Sequence, residues 1–198
     1  MRLLSVRSAS IERGGRKLLA NMSLDVAGGD IWELKGPNGI GKTSFLRALA
    51  GLSSIEIDGE ITCHTRAFYL GHASAIKREL SPLNNLLFHP SCEASLTREV
   101  VCQALKFANL QGLENQPVKF LSNGQQRRVS LARLIISSSK LWLLDEPFVA
   151  LDSAGCDWLA AVIQRHVDSG GGLVFSNHQS SSLFSSQKDF LLTQYVDH

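Results

Sequence analysis

Short apolar runs alternate with longer amphipathic stretches along most of the chain, the pattern of strands interleaved with helices. Over residues 1–35 the runs "RLLSV", "MSLDV" and "IWELK" are divided by "RGGRK" and "AGGD". Paired glycines mark turns, so this part predicts antiparallel strands. "IEIDGEIT" predicts a hairpin around Asp58-Gly59, and "RAFYLG" a buried strand ending at Gly71. From about Ser81 to Gln116 the spacing becomes helical. "LTREVVCQALKFANL" sets Leu96, Val100, Leu105 and Ala108 near one helical period, with Gly112 closing the helix. "GQQRRVSLARLIISSS" reads as a helix, "LWLLDE" as an apolar strand and "SAGCDWLAAVIQRHV" as another helix. "GGLVFSN" and "DFLLTQYV" read as two final strands. The sum is an α/β fold with a mainly parallel sheet and helices on its faces. An antiparallel β subdomain precedes it, and a helical subdomain occupies about residues 81–125 of a single domain, 1–198.

Composition narrows the class without naming a chemistry. The 198 residues suffice for one domain with a substantial core. With 44% hydrophobic and 19% charged residues, the chain is a folding one, not a disordered one. A net charge of +2 gives no electrostatic footprint for nucleic acid or an anionic membrane surface. No stretch approaches the roughly 20 apolar residues of a membrane span. "MRLLSVRSAS" has the arginines of a transit peptide, but it alternates like a first strand and is read as one. Cys63, Cys92, Cys102 and Cys156 form no C-x-x-C pair, so neither a zinc nor a redox motif is indicated, and scattered thiols suit a reducing compartment.

The chemistry starts at "LKGPNGIGKTSFLRALAG". Gly36, Gly41, Lys42 and Thr43 fill the fixed positions of G-x-x-x-x-G-K-[ST], with Pro37, Asn38, Gly39 and Ile40 between them. That pattern is a phosphate loop only between a strand and a helix. "IWELK" supplies the strand; "TSFLRALAG" supplies the helix, with Phe45, Leu46, Leu49 and Ala50 on one side and Gly51 as its stop. The glycines let backbone N–H groups turn toward an anion at the positive end of the helix. Lys42 then faces the outer phosphates, and the Thr43 hydroxyl is a ligand for Mg²⁺. Asp145 emerges at the carboxyl end of the "LWLL" strand, where ligands bind in open α/β sheets, and is a second Mg²⁺ holder. Glu146 follows and points elsewhere, as a base for an attacking water must. Earlier in the chain, Ser122 is placed to cap a helix, leaving Asn123 and Gly124 amides for an anion.

The ordered series of phosphate loop, "LSNGQ", "LLDEP", "ALD" and "SNH" resembles the ATP-binding cassette ATPases over nearly the whole chain. No N-K-x-D motif is present, which argues against a GTPase. The resemblance implies a P-loop NTPase of the cassette type that binds ATP and Mg²⁺ through Lys42, Thr43, Ser44 and Asp145. Glu146 would activate water and His178 touch the γ-phosphate. Ser122, Asn123, Gly124 and Gln125 would complete the site of a second copy placed head to tail, with Asp152 at the seam. "YLGHASAIKREL" is further similar to the haem exporter ATP-binding subunits of the cytochrome c maturation system. That implies membrane-spanning transporter subunits as partners, a peripheral place on the cytoplasmic face of the inner membrane, and release of a haem-loaded chaperone as the work done. Another transporter's ATPase and a sensing module are the alternatives; a non-hydrolysing sensor would need a damaged Glu146 or His178, and both are present.

Three positions depart from the family pattern. His72 stands where a glutamine is usual. Ile11 stands near the place of an adenine-stacking aromatic. Asn123 replaces a glycine, which its tolerance of unusual backbone angles accommodates. Finally, "IKRELSPLNNLLFHP" carries Ile76, Leu80, Leu83, Leu86, Leu87 and Phe88, and Leu83 or Phe88 is expected to reach a membrane partner.

Overall fold

Two long strands open the chain, β1 (Arg2–Arg13) and β2 (Arg16–Ala27), joined by a turn in which Gly14 and Gly15 sit at φ of 60° and 74°. Positive φ is nearly free for glycine and strained for other residues, so the glycine pair sets the hairpin. The computed structural model describes residues 1–52, 56–89, 96–177 and 183–196, arranged in two compact units.

The first unit takes residues 1–72, 139–147 and 163–198. Its antiparallel sheet has the order β2-β1-β4, where β4 is Glu56–Cys63. Here the hairpin expected in "IEIDGEIT" is corrected: from Glu56 on, the run is one continuous strand pairing with β1, from Leu4 opposite Cys63 to Glu12 opposite Glu56. Gly59 marks a bulge opposite Ser8 and Ala9. A Cβ there would lie 2.5 Å from the Ser8 carbonyl oxygen. The second sheet is wholly parallel, ordered β5-β6-β7-β3-β8. Its strands are β3 (Ile31–Lys35), β5 (Ala67–Leu70), β6 (Leu141–Asp145), β7 (Gly172–Ser176) and β8 (Gln187–Leu191). "IWELK" therefore belongs to this sheet and not to the antiparallel one. Every residue of β6 and β7 is buried, as parallel strands covered on both faces require. "DFLLTQYV" divides between β8 and a 3-10 turn, Leu192–Tyr195. Helix α1 (Lys42–Leu49) buries Phe45, Leu46 and Leu49 in a core shared with Leu34, Leu143, Val174 and Phe190.

The second unit takes residues 73–138 and 148–162, and the segment expected to be helical lies within it. It contains α2 (Pro82–Leu87), α3 (Arg98–Phe107) and α4 (Asn123–Ala132). Helix α5 (Ser153–Asp168) begins here and ends in the first unit. The buried face of α3 is Val101, Ala104 and Leu105, with Ala108 following at its cap, whereas Val100 is 44% exposed. The helix stops at Asn109, not Gly112. Asn109 turns to φ 58°, its N–H donates to the Lys106 carbonyl, and Leu110 N–H donates to Leu105. This paired closure satisfies carbonyls the helix would otherwise leave bare. Asn85 is buried and organises the stretch before α2: its side chain accepts from Lys77 N–H and donates to the carbonyls of Lys77, Leu80 and Ser81.

Candidate functional site

The phosphate loop forms where the sequence places it, between β3 and α1. Gly39 and Gly41 hold φ of 81° and 116°, conformations that rotate successive amides toward the loop interior. Ile40 packs against Gly36, where a Cβ would meet its side chain at 3.0 Å, and anchors the loop on the core. Lys42 is nearly buried, and its ammonium donates to the carbonyl oxygens of Gly36 (2.6 Å) and Pro37 (3.2 Å). The lysine thus closes its own loop. Asn38, Gly39, Gly41, Lys42, Thr43 and Ser44 line a cavity of about 260 Å³ together with Arg13 and Glu146.

The acid pair follows from strand register. Asp145 ends β6 opposite Ser176, the last residue of β7. Asp145 is 1% exposed, and both its oxygens are engaged by hydroxyls. Thr43 Oγ1 donates to Oδ2 at 2.8 Å, and Ser176 Oγ donates to Oδ1 at 2.7 Å. Hydroxyl and carboxylate oxygens together make the hard donor set that Mg²⁺ takes, so the residues fit that ion.

Glu146 leaves the strand at φ 50°, in the left-handed region that a non-glycine residue enters only under constraint. Its N–H donates to Ser176 Oγ at 3.0 Å, so one hydroxyl braces both acids. After the turn Glu146 lines the cavity, which it shares with Thr43. His72 Nδ1 lies 2.9 Å from Glu146 Oε2. Where a glutamine was expected, a histidine therefore grips the second acid. Ser176 is the residue that sequence reasoning missed. It was visible only as the first letter of "SNH", and its role rests on the pairing of β6 with β7.

Ile11 is a correction. It is 0% exposed, packed in the core between Leu19 on β2 and Ile57 on β4, and an adenine ring has no access to its face. Leu83 is likewise 2% exposed within the core of the second unit, while Phe88 is 73% exposed. His178 lies outside the described residues.

The signature stretch builds a second cavity, of about 500 Å³, in the second unit. It is lined by Asn109, Ser122, Gly124, Gln125, Arg128, Ala150 and Asp152. Ser122 caps α4 reciprocally: its hydroxyl accepts from Gln125 N–H at 3.2 Å, and Gln125 Oε1 accepts from Ser122 N–H at 2.9 Å. Asn123 opens the helix, and Gly124 comes so close to Ala150 that a Cβ would stand 3.4 Å from its carbonyl oxygen. Asp152 accepts from Gly155 N–H and from Arg128 at 3.0 Å, which together hold its carboxyl below the usual range.

Comparison with known proteins agrees with this geometry. The ABC transporter family model matches residues 19–149. The cytochrome c biogenesis ATP-binding export protein CcmA of Dechloromonas aromatica is 41% identical, covering 91% of this chain and 95% of that protein. The protein of the same name from Tatumella citrea is 41% identical, with 89% of each covered. An ATP-binding cassette of an ABC transporter, solved in its ADP conformation, superposes with a TM-score of 0.76 at 18% identity. The match covers 97% of this chain and 87% of that one, and it bears on the fold alone. Phosphate loop, strand-end acids, capped signature helix and these relatives agree: the chain belongs to the ABC transporter family, as one of its ATP-hydrolysing subunits.

Proposed function

We propose that the protein is the ATPase subunit of a cytochrome c maturation export complex, coupling ATP hydrolysis to release of a haem-loaded chaperone. Its place would be the cytoplasmic face of the inner membrane. The relatives' names support the complex. The observation that carries the chemistry is the pair of acids braced by one buried serine.

In this reading the loop from Gly36 to Gly41, with Lys42, Thr43 and Ser44, holds the triphosphate of ATP. Thr43 and Asp145 would hold Mg²⁺, which supplies charge neutralisation for the phosphates. Lys42 exchanges its loop carbonyls for phosphate oxygens, moving a charge already aimed into the loop. Glu146 accepts a proton from, and orients, the attacking water, and its left-handed backbone directs the carboxylate there. His178 would contact the γ-phosphate. Ser122, Asn123, Gly124 and Gln125 would face the nucleotide of a second copy, with Asp152 at the seam. The capping box keeps the first amides of α4 oriented for that anion. Phe88, an exposed aromatic at the end of α2, is the contact for a membrane-spanning subunit.

The test is Glu146→Gln. It keeps size and backbone while removing the base, so kcat should fall by about 10²–10⁴ with ATP affinity retained. The variant should accumulate as an ATP-held dimer in gel filtration. Near-normal turnover would refute the role of Glu146. Phe88→Glu, with ATP affinity unchanged, should lose co-purification with the membrane subunits and stop cytochrome c maturation. An intact complex would refute the docking residue.

A further inference from the structure

We propose that Tyr69 is a further positioning residue on the metal side of the site, its hydroxyl accepting a hydrogen bond from a water bound to Mg²⁺. The inference rests on reading Thr43 and Asp145 as the holders of that ion.

Strand register brings the phenol there. Tyr69 on β5 lies beside Leu143 of β6, and Leu70 beside Leu144. One residue on, Gly71 stands level with Asp145, all of them within the first unit. Residues two apart on a strand point to the same face, so Tyr69 and Gly71 share a face with Leu143 and Asp145. That is the face α1 covers. Leu143 and Tyr69 pack with Phe45, Leu46 and Leu49, and Asp145 meets Thr43, the second residue of the helix.

The phenol leans along β5 toward its carboxyl end. A Cβ on Gly71 would stand 3.1 Å from the Tyr69 hydroxyl oxygen and 3.3 Å from the ring carbon Cε1. The hydroxyl therefore fills the space that a side chain at position 71 would take, next to the corner formed by Thr43 and Asp145. Any residue larger than glycine would press the phenol out of that place.

The hydroxyl is aimed at this corner without being used by the protein. Tyr69 is half-buried, and among the described residues its hydroxyl makes no hydrogen bond. A tyrosine placed in this way ordinarily finds a partner. Burial, and after it the nearby Asp145 carboxylate, push its pKa up, with Arg47 on the next turn of α1 pulling the other way. The group therefore stays a neutral hydroxyl, able to accept as well as donate. Mg²⁺ bound through one or two protein oxygens keeps several of its waters, and each is a donor in need of an acceptor. Both oxygens of Asp145 already accept from hydroxyls, Thr43 on one side and Ser176 on the other. The Tyr69 oxygen is an acceptor still open beside them.

Equilibrium binding of ADP, which is not turned over, to the full chain in excess Mg²⁺ and again in chelator gives the ion's contribution as a ratio of affinities. Tyr69→Phe keeps the ring and its packing and should lower that ratio by about twofold to tenfold, the range of one hydrogen bond, with the affinity in chelator unchanged. A purely structural tyrosine would weaken both affinities together, and that result would overturn the proposal. So would a ratio equal to that of the native chain. A fall in kcat with the ratio intact would place the hydroxyl on the attacking water and would overturn it too. Thr43→Val should lower the same ratio. If it does not, the reading of Thr43 and Asp145 as the metal holders fails, a result distinct from any failure at Tyr69.

Discussion

Replacing Ser176 by alanine should unfold the acid pair's support while touching no nucleotide-facing atom. Ser176 is fully buried, so water cannot replace its hydroxyl without rearrangement. The variant loses the hydrogen bond to Asp145 Oδ1, whose acceptor is charged and which is worth about 1.5–3 kcal/mol. It also leaves the Glu146 N–H without its acceptor, worth about 0.5–1.5 kcal/mol more. A loss of about 3 kcal/mol follows. At about 2–4 °C per kcal/mol for a chain of this size, the melting temperature should drop by about 6–12 °C. Ser176→Cys, with a weaker donor in nearly the same volume, should lie between the two. Steady-state ATPase should show the loss mainly in kcat, because Glu146 loses its fixed turn while Lys42 and the loop stay intact. Differential scanning calorimetry on the three proteins tests the magnitude. A melting shift under about 2 °C for Ser176→Ala, given the same two hydrogen bonds, would refute the bracing argument.

Two further outcomes follow from other contacts. His72 is 66% exposed at its side chain, so its hydrogen bond to Glu146 should matter for orientation more than for stability. His72→Ala should cut kcat by about fivefold with KM and melting temperature little changed, and His72→Asn, which keeps a donor at the δ position, should restore it; equal effects of both changes in steady-state kinetics would exclude a positioning role. His166, on α5, stacks on Trp142 at 3.7 Å, and burial pushes its pKa down to about 4, below its ordinary 6.5. The unfolded chain therefore takes up a proton at His166 before the folded one does, and stability falls as pH drops from 6.5 toward 4. His166→Phe keeps a flat ring without a titrating group, so urea midpoints should fall less between pH 7 and pH 4.5; parallel curves for the two proteins would exclude His166 as a source of the acid sensitivity.

Local signals carried much of this molecule. The phosphate loop needs only adjacent residues, and "LWLLDE" declares its strand and its two acids within one run. The Ser122–Gln125 cap is also a short-range device. What escaped reading depends on partners far away in the chain. Asp58-Gly59 has the composition of a turn, but the partner strand β1 converts it into a bulge opposite Ser8. "IWELK" looks like its neighbours in sequence, yet its hydrogen bonds go to β7 and β8. Asn109 ended α3 before Gly112 could, since asparagine also tolerates the left-handed turn. Ser176 gained its role from register with Asp145, and Ile11 lost its expected one to burial in the core. Leu83 looked as available as Phe88 because the helical period does not say which side of α2 has a core to meet.

The left-handed turn at Glu146 also has a genetic consequence. A non-glycine residue at φ 50° carries backbone strain of about 1–2 kcal/mol. Glycine or asparagine at that position would relax it, so a mutation that removes the carboxylate proposed as the base need not weaken the fold. Such a protein would escape the proteolysis that removes unstable variants. In a family whose ATPases act in pairs, the surviving inactive copies would occupy partners meant for active ones. Lesions at Glu146 should therefore be dominant over a normal allele, whereas lesions in the buried core, cleared before assembly, should be recessive.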